Sequence, residues 1–111
     1  MTLRAQIDAI QVQALSGNLT PVTASLAALE ASALLGNCLE EVRETEVAFH
    51  RLLLGYLDAG EPLNRAQIRA KTSAEYQRLR EAQNLHAMLL EVYRGLKGYA
   101  RAAGEEAALG R

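Results

Sequence analysis

NRAQIRAKTSAEYQRLREAQNLHAMLLEVYRGLKGYARAA, the forty residues from Asn64 to Ala103, is the stretch that decides the fold. It contains no proline, and its only glycines, Gly95 and Gly98, lie near its far end. The stretch therefore predicts one helix over 64–103, which at about 1.5 Å per residue would extend on the order of 60 Å. Helices of this length are typical of coiled coils and long helical hairpins.

One face of this helix is predicted to be covered by another helix. Its apolar residues recur at steps of three and four, the period of an amphipathic helix. The stripe comprises Leu79, Ala82, His86, Leu89, Tyr93, Leu96, Ala100 and Ala103, and it is widened by Leu85, Val92 and Tyr99. A stripe of this length needs a second long helix beside it.

The second long helix is predicted over 21–59. Thr20 before Pro21 is a start signal, because threonine caps a helix and proline is tolerated at its first position. Gly60 ends the helix. Gly36-Asn37 is a candidate break, but the apolar period continues across it, so we favour one continuous helix with a weak point there. A coiled-coil seam is predicted by residues that recur every seven positions. They are Leu35, Val42, Phe49 and Tyr56.

The remaining segments complete an antiparallel hairpin with one added helix. A short amphipathic helix over 2–15 is too short to be stable alone, so it must dock on the hairpin or on another subunit. A turn at 60–63 joins the long helices, and Asn64 with Gln67 resembles a capping box at the start of the last helix. The tail 104–111 has lost the apolar pattern and is expected to fray.

The composition agrees with an all-α, coiled-coil-like protein that forms one helical domain over 1–111. The chain has two prolines, one phenylalanine and no tryptophan, and half of it is hydrophobic. Two long helices in contact leave apolar residues on their outer flanks, which predicts a homo-oligomer. The expected oligomer or partner interface comprises Leu3, Ile7, Ile10, Leu52, Leu54, Leu89 and Leu90.

Cytoplasmic localisation is expected because the sequence shows no signal region and no membrane-spanning run, and because it has a single cysteine. The segment MTLRAQIDAI has no apolar signal region, and uninterrupted apolar runs such as Leu52-Leu53-Leu54 are too short to cross a bilayer. The single cysteine, Cys38, cannot form an intramolecular disulfide, which fits a reducing compartment. We therefore expect no membrane contact.

No residue pattern indicates catalysis, a metal or a cofactor. Two histidines without a cysteine pair supply too few ligands for a zinc site. Cys38 has no neighbouring base and is expected to be a buried structural thiol. The glutamates at 40–46 have the arrangement of a solvated helix face, and no nucleophile or phosphate-binding loop accompanies them. We expect a protein that is not an enzyme.

Charge distribution is the feature with functional content. Residues 1–60 carry three Lys+Arg against seven Asp+Glu, whereas residues 61–111 carry nine against six. The candidate nucleic-acid-binding residues are Arg65, Arg69, Lys71, Arg78, Arg80, Arg94, Lys97 and Arg101. They form two groups toward the ends of the predicted helix and can follow a phosphate backbone. Tyr76, Tyr93 and Tyr99 lie among them and can stack bases if exposed. The alternative is that these cations are solvated or pair with carboxylates of the same chain.

The stretch NRAQIRAKTSAEYQRLREAQNLHAMLLEVYRGLKGYAR, behind an acidic helix, resembles small helical proteins of phages and prophages. In these, an Arg/Ala/Lys-rich opening leads into a leucine-rich helix that ends in a basic segment. More distantly, residues 21–103 are similar to recombination mediators of the UvsY type, helical oligomers that bind single-stranded DNA and load a recombinase.

Two classes of function follow. The resemblance implies a recombination accessory whose partners are single-stranded DNA and a recombinase. The alternative is a protein-interaction module, such as an adaptor, a scaffold or a secretion-type chaperone, that binds no nucleic acid.

Overall fold

The computed structural model describes residues 2–109, and these form four α-helices joined by short connections. The helices are α1 (Leu3–Leu15), α2 (Pro21–Asp58), α3 (Leu63–Lys71) and α4 (Ala74–Leu109). No strand occurs in this range, so the all-α prediction is confirmed. The long helix packs against another helix in a hairpin-like manner, as the apolar stripe predicts.

Two of the three predicted helices are close to those observed, and the third is not. Helix α2 runs through Gly36-Asn37 without a break, as favoured above. The prediction of one helix over 64–103 is wrong, because the chain divides into α3 and α4 at Thr72-Ser73. Helix α4 also continues through the tail to Leu109, where fraying is expected from the sequence, and residues 110–111 lie outside the described residues.

Contacts within the chain group into two compact units, whereas the sequence predicts one domain. Unit 1 comprises Met1–Asn37 and Ala87–Arg111, and unit 2 comprises Cys38–His86. Unit 1 therefore contains α1 with the first part of α2 and the last part of α4. Unit 2 contains the rest of α2 and α4, together with α3.

Threonine side chains cap the first two helices. The Ala5 N–H donates to Thr2 Oγ1 at 3.1 Å at the start of α1. At the start of α2 the Thr23 N–H donates to Thr20 Oγ1 at 3.1 Å, and the Thr20 N–H donates to Thr23 Oγ1 at 2.8 Å. This reciprocal pair is a capping box in which a threonine replaces the usual glutamate. It satisfies two backbone donors that the helix itself cannot.

Helix α2 ends in a Schellman motif at Gly60. Gly60 has a φ of 92°, a conformation that a residue with a Cβ adopts only at a cost. Its N–H donates to the Leu57 carbonyl at 3.0 Å, and the Glu61 N–H donates to the Tyr56 carbonyl at 3.1 Å. These are the two hydrogen bonds that define the motif, and they turn the chain toward α3.

Ser73 starts α4 and explains the break that the sequence analysis missed. Its hydroxyl accepts the Tyr76 N–H at 3.2 Å and donates to the Ala70 carbonyl at the end of α3. One side chain therefore caps both helix ends. The capping box predicted at Asn64 and Gln67 is wrong, because the N-cap of α3 is Pro62, without a side-chain hydrogen bond, and Asn64 lies inside the helix.

The core of unit 1 is rich in alanine where α2 contributes to it. Helix α1 contributes Ile7 and Ile10, and α4 contributes Leu89 and Leu96. The buried residues of α2 in this unit are Ala24, Ala27, Ala28, Ala31 and Leu34. Small side chains in a packed face allow neighbouring helices to approach closely, whereas larger ones would force the axes apart.

Unit 2 continues the pattern of small buried residues. Its buried side chains are Cys38, Thr45, Ala66, Ala70, Leu79 and Ala82. The Thr45 hydroxyl remains satisfied because it donates to the Glu41 carbonyl at 2.8 Å. The seam predicted at Leu35, Val42, Phe49 and Tyr56 is only half-buried. The predicted line is one flank of the seam, whose centre follows the small residues at 24, 31, 38 and 45.

Candidate protein-interaction surface

The residues predicted to form a subunit or partner interface are mostly used inside the chain. Ile7, Ile10 and Leu89 are buried in unit 1, so they have almost no surface to offer a partner. Leu3, Leu52 and Leu90 are half-buried. Leu54 alone in this set is largely exposed, at 57%. The apolar line of α1 therefore docks within its own chain, which is the first of the two alternatives for that helix.

All eight predicted cations are exposed, but they belong to different helices and units. In unit 2, Arg65, Arg69 and Lys71 lie on α3, and Arg78 and Arg80 lie on α4. In unit 1, Arg94, Lys97 and Arg101 lie on α4. The expectation that they mark the two ends of one helix is wrong, because the helix is divided at Ser73.

Arg69 has a structural role in unit 2. Its guanidinium forms an ion pair with the Glu61 carboxylate and lies over the Tyr56 ring, with 4.4 Å from Cζ to the ring centroid. These contacts hold α3 against the end of α2 and the turn that follows it. Arg69 is therefore not a freely available phosphate ligand, and the intramolecular alternative describes it best.

The three cations of unit 1 and Tyr93 form what we call the basic ridge, defined as Tyr93, Arg94, Lys97 and Arg101. Lys97 Nζ lies over the Tyr93 ring at 5.3 Å from its centroid. A surface groove of about 490 Å³ is lined by the ridge together with Leu90 and Gly98. Among the described residues, no carboxylate lies within salt-bridge distance of the three cations of the ridge. The ridge therefore offers positive charge to an outside ligand.

The tyrosines are poorly placed to stack bases. Tyr76 packs against Phe49 with 5.4 Å between ring centroids. One face of Tyr93 is covered by Lys97. The Tyr99 hydroxyl donates to the Leu19 carbonyl at 2.7 Å, which ties α4 to the connection between α1 and α2. All three residues make internal contacts, and of the three only Tyr99 is largely exposed, at 41%.

An exposed row of apolar side chains on α2 was missed by the sequence analysis. Val22, Leu26 and Leu29 are 68%, 61% and 70% exposed, although they are large aliphatic residues. Their spacing of four and three places them on one face, which Ala33 continues. We call these four residues the apolar row. They lie opposite the alanines that α2 buries, so the first part of α2 is apolar on both faces.

The signal for this row was present in the sequence. Between residues 21 and 37 the only charged residue is Glu30. A helix that is apolar all round is normally buried all round. Val12 and Leu15 at the end of α1 are exposed as well, so unit 1 displays several large aliphatic residues. Extended exposed apolar surface marks interaction sites more often than chance.

Helix α2 also meets the length and composition expected of a membrane span. An 18-residue window within Pro21–Asp58 has a mean hydropathy of 1.4, and 33% of it is buried. This segment is not an uninterrupted apolar run, and the expectation of no membrane contact was based on such runs. The core helix of a soluble protein passes the same test.

Cys38 lies fully buried in unit 2, as expected of a structural thiol. Burial, and to a smaller extent the nearby Glu41 carboxylate, raise the pKa of the Cys38 thiol above its usual value. A raised pKa leaves less thiolate at neutral pH and therefore lowers reactivity. Among the side chains that the structure describes, residues 2–105, no three His, Cys, Asp or Glu are grouped to hold a metal ion.

The fold and surface define an all-helical protein with an exposed apolar row beside a basic ridge. Comparisons with known protein families, with curated proteins and with solved structures give no match to this chain. The function is therefore argued from the surface itself.

Proposed function

We propose that this protein is a non-enzymatic interaction module that binds another polypeptide through unit 1. The observation that carries the proposal is the exposure of Val22, Leu26 and Leu29 on a helix whose opposite face is already packed. Covering such side chains removes them from water, which stabilises a complex by about 25 cal/mol for each Å² of apolar surface buried. Aliphatic anchors at steps of four and three are typical of recognition between helices.

Photo-crosslinking in the cells that make the protein tests this proposal. A photoreactive residue placed at position 29 is expected to give a product with a second, different polypeptide. The matched control is position 68, because Ile68 is as exposed as Leu29 but lies on α3 in unit 2. Equal crosslinking at both positions, or a product of this chain alone at position 29, contradicts the proposal.

Single-strand nucleic-acid binding is a second candidate function, favoured by the shared face of Arg94, Lys97 and Arg101. It corresponds to the recombination accessory implied by the resemblance to phage proteins, with a recombinase as the further partner. Such binding would rest mainly on phosphate contacts, because of Tyr76, Tyr93 and Tyr99 only Tyr99 is largely exposed. Repetition of the ridge in an oligomer would strengthen it by avidity.

Fluorescence anisotropy with a labelled oligonucleotide at low salt tests the second candidate. Changing all three cations to glutamate should abolish binding while circular dichroism remains unchanged. Wild-type affinity should also fall steeply with added salt, because each released counterion then gains less entropy on entering a more concentrated solution. Absence of wild-type binding at low salt eliminates this function and leaves the interaction module.

A further inference from the structure

The apolar row and the basic ridge meet at one groove in unit 1, which Leu29 lines from the row and Tyr93, Lys97 and Arg101 line from the ridge. The groove has a volume of about 360 Å³. Helix α2 lines it with Ser25, Ala28, Leu29 and Ser32, and α4 lines it with Tyr93, Lys97, Ala100 and Arg101. The exposed Leu29 and small residues therefore line the groove from α2, and Tyr93 with two cations lines it from α4. Apolar contact and positive charge are offered to a single ligand.

We propose that this groove binds an amphipathic helix that carries acidic residues along one flank. The inference rests on the proposed function and specifies the class of partner. Leucines of the incoming helix would pack on Leu26 and Leu29, and its carboxylates would pair with Lys97 and Arg101. This combination fits the helix-in-groove mode of recognition, in which apolar anchors supply affinity and flanking charges fix orientation.

Charge complementarity identifies the flank as acidic. Among the described side chains, residues 2–105, no carboxylate lies within salt-bridge distance of Lys97 or Arg101, and Lys97 lies instead over the Tyr93 ring. A carboxylate of an incoming helix can therefore form an ion pair with these cations without breaking an existing one. A basic flank would place like charges together, which is unfavourable by several kcal/mol at a close interface.

A second copy of this chain would provide apolar contact in the groove but too little negative charge for its cations. Its own apolar row would meet the leucines, but residues 21–37 carry Glu30 as their only carboxylate. Lys97 and Arg101 would then face too little counter-charge. A nucleic acid has the opposite shortcoming, because its phosphates would pair with the cations and leave Leu26 and Leu29 uncovered. An acidic amphipathic helix is the ligand that uses both parts.

Two matched peptides of about five helical turns test the inference. The first has leucines at steps of three and four with glutamates on the flank, and the second has lysine at every glutamate position. Fluorescence anisotropy with the full chain should show binding of the acidic peptide at least about tenfold tighter than that of the lysine peptide, since charge sets the preference.

Charge reversal in the protein should reverse this preference. Lys97→Glu with Arg101→Glu is expected to favour the lysine peptide, and Leu29→Glu should weaken both peptides. The control Arg78→Glu with Arg80→Glu makes the same change on exposed residues of unit 2 and should leave binding unaltered.

Three results overturn the inference: no binding of the acidic peptide, equal binding of both peptides, or a preference that persists after charge reversal. Binding of an oligonucleotide but of neither peptide assigns the ridge to nucleic acid and also overturns it. Failure of the proposed function is distinguishable. A crosslinked partner at position 29 without an acidic helix retains the function and removes only this inference, whereas the absence of any partner at position 29 removes the function.

Discussion

Gly60 and Gly36 have opposite conformational requirements, and the same substitution tests both. Neither has an atom within 4 Å of an added Cβ, so packing does not oppose alanine at either position. Gly60 requires a positive φ, and alanine there should destabilise the protein by about 1–2 kcal/mol. Gly36 lies inside continuous α2, where alanine should stabilise by about 0.5–1 kcal/mol.

Urea unfolding followed by circular dichroism measures both effects. Destabilisation by Gly36→Ala would contradict a continuous helix at this position and restore the break that the sequence leaves open. Equal effects at the two glycines would contradict the positive φ of Gly60.

Ser73 is the residue whose role the sequence analysis did not predict, and Asn64 is its natural control. Ser73→Ala removes the hydroxyl that accepts the Tyr76 N–H, and should cost about 1 kcal/mol of unfolding free energy. Asn64→Ala should have little effect, because Asn64 does not cap α3. A larger loss at Asn64 than at Ser73 in thermal unfolding would favour the predicted capping box over the observed break.

At the level of the helix, the buried alanines of α2 set how closely its neighbours can pack. Ala31 is fully buried, whereas Ala33 lies on the outer face of the same helix. Ala31→Leu should cost about 1–3 kcal/mol, because a larger side chain overpacks a filled core. Ala33→Leu has the same intrinsic helical preference and should be nearly neutral. Comparable midpoints of unfolding for the two variants would contradict the alanine-lined seam.

The sequence predicts α1, α2 and the buried stripe of α4 well, because these depend on periodicity over many residues. Leu79, Ala82, Leu89 and Leu96 of the predicted stripe are buried. The position of the seam on α2 is not predictable in the same way. Sequence patterns give weight to Leu35 and Val42, whereas close helix packing selects the smaller residues at 31, 38 and 45.

Two further features, the break between α3 and α4 and the apolar row on α2, cannot be recognised from the apolar period of the sequence. The break at Thr72-Ser73 lies in a segment without proline or glycine, and only the hydrogen bonds of Ser73 reveal it. The apolar row can be recognised in the sequence only when charges are counted around the whole helix rather than along one face. The basic residues are exposed, and their division between the two units depends on tertiary packing.

For the whole molecule, self-association stays a prediction. The chain has a mass of 12.1 kDa, and light scattering at micromolar concentration should give a larger value. A monomeric wild type contradicts the predicted oligomer.

The central claim is that the apolar row and the basic ridge together form a docking surface for a helix. Nuclear magnetic resonance of the labelled full chain, titrated with the acidic amphipathic peptide, tests it most directly because a small protein gives resolved signals. The account predicts the largest shifts for the methyl groups of Val22, Leu26 and Leu29 and for the amides of Lys97 and Arg101, with Ile68 unchanged. Absence of shifts, or largest shifts around Ile68 on α3, would contradict it.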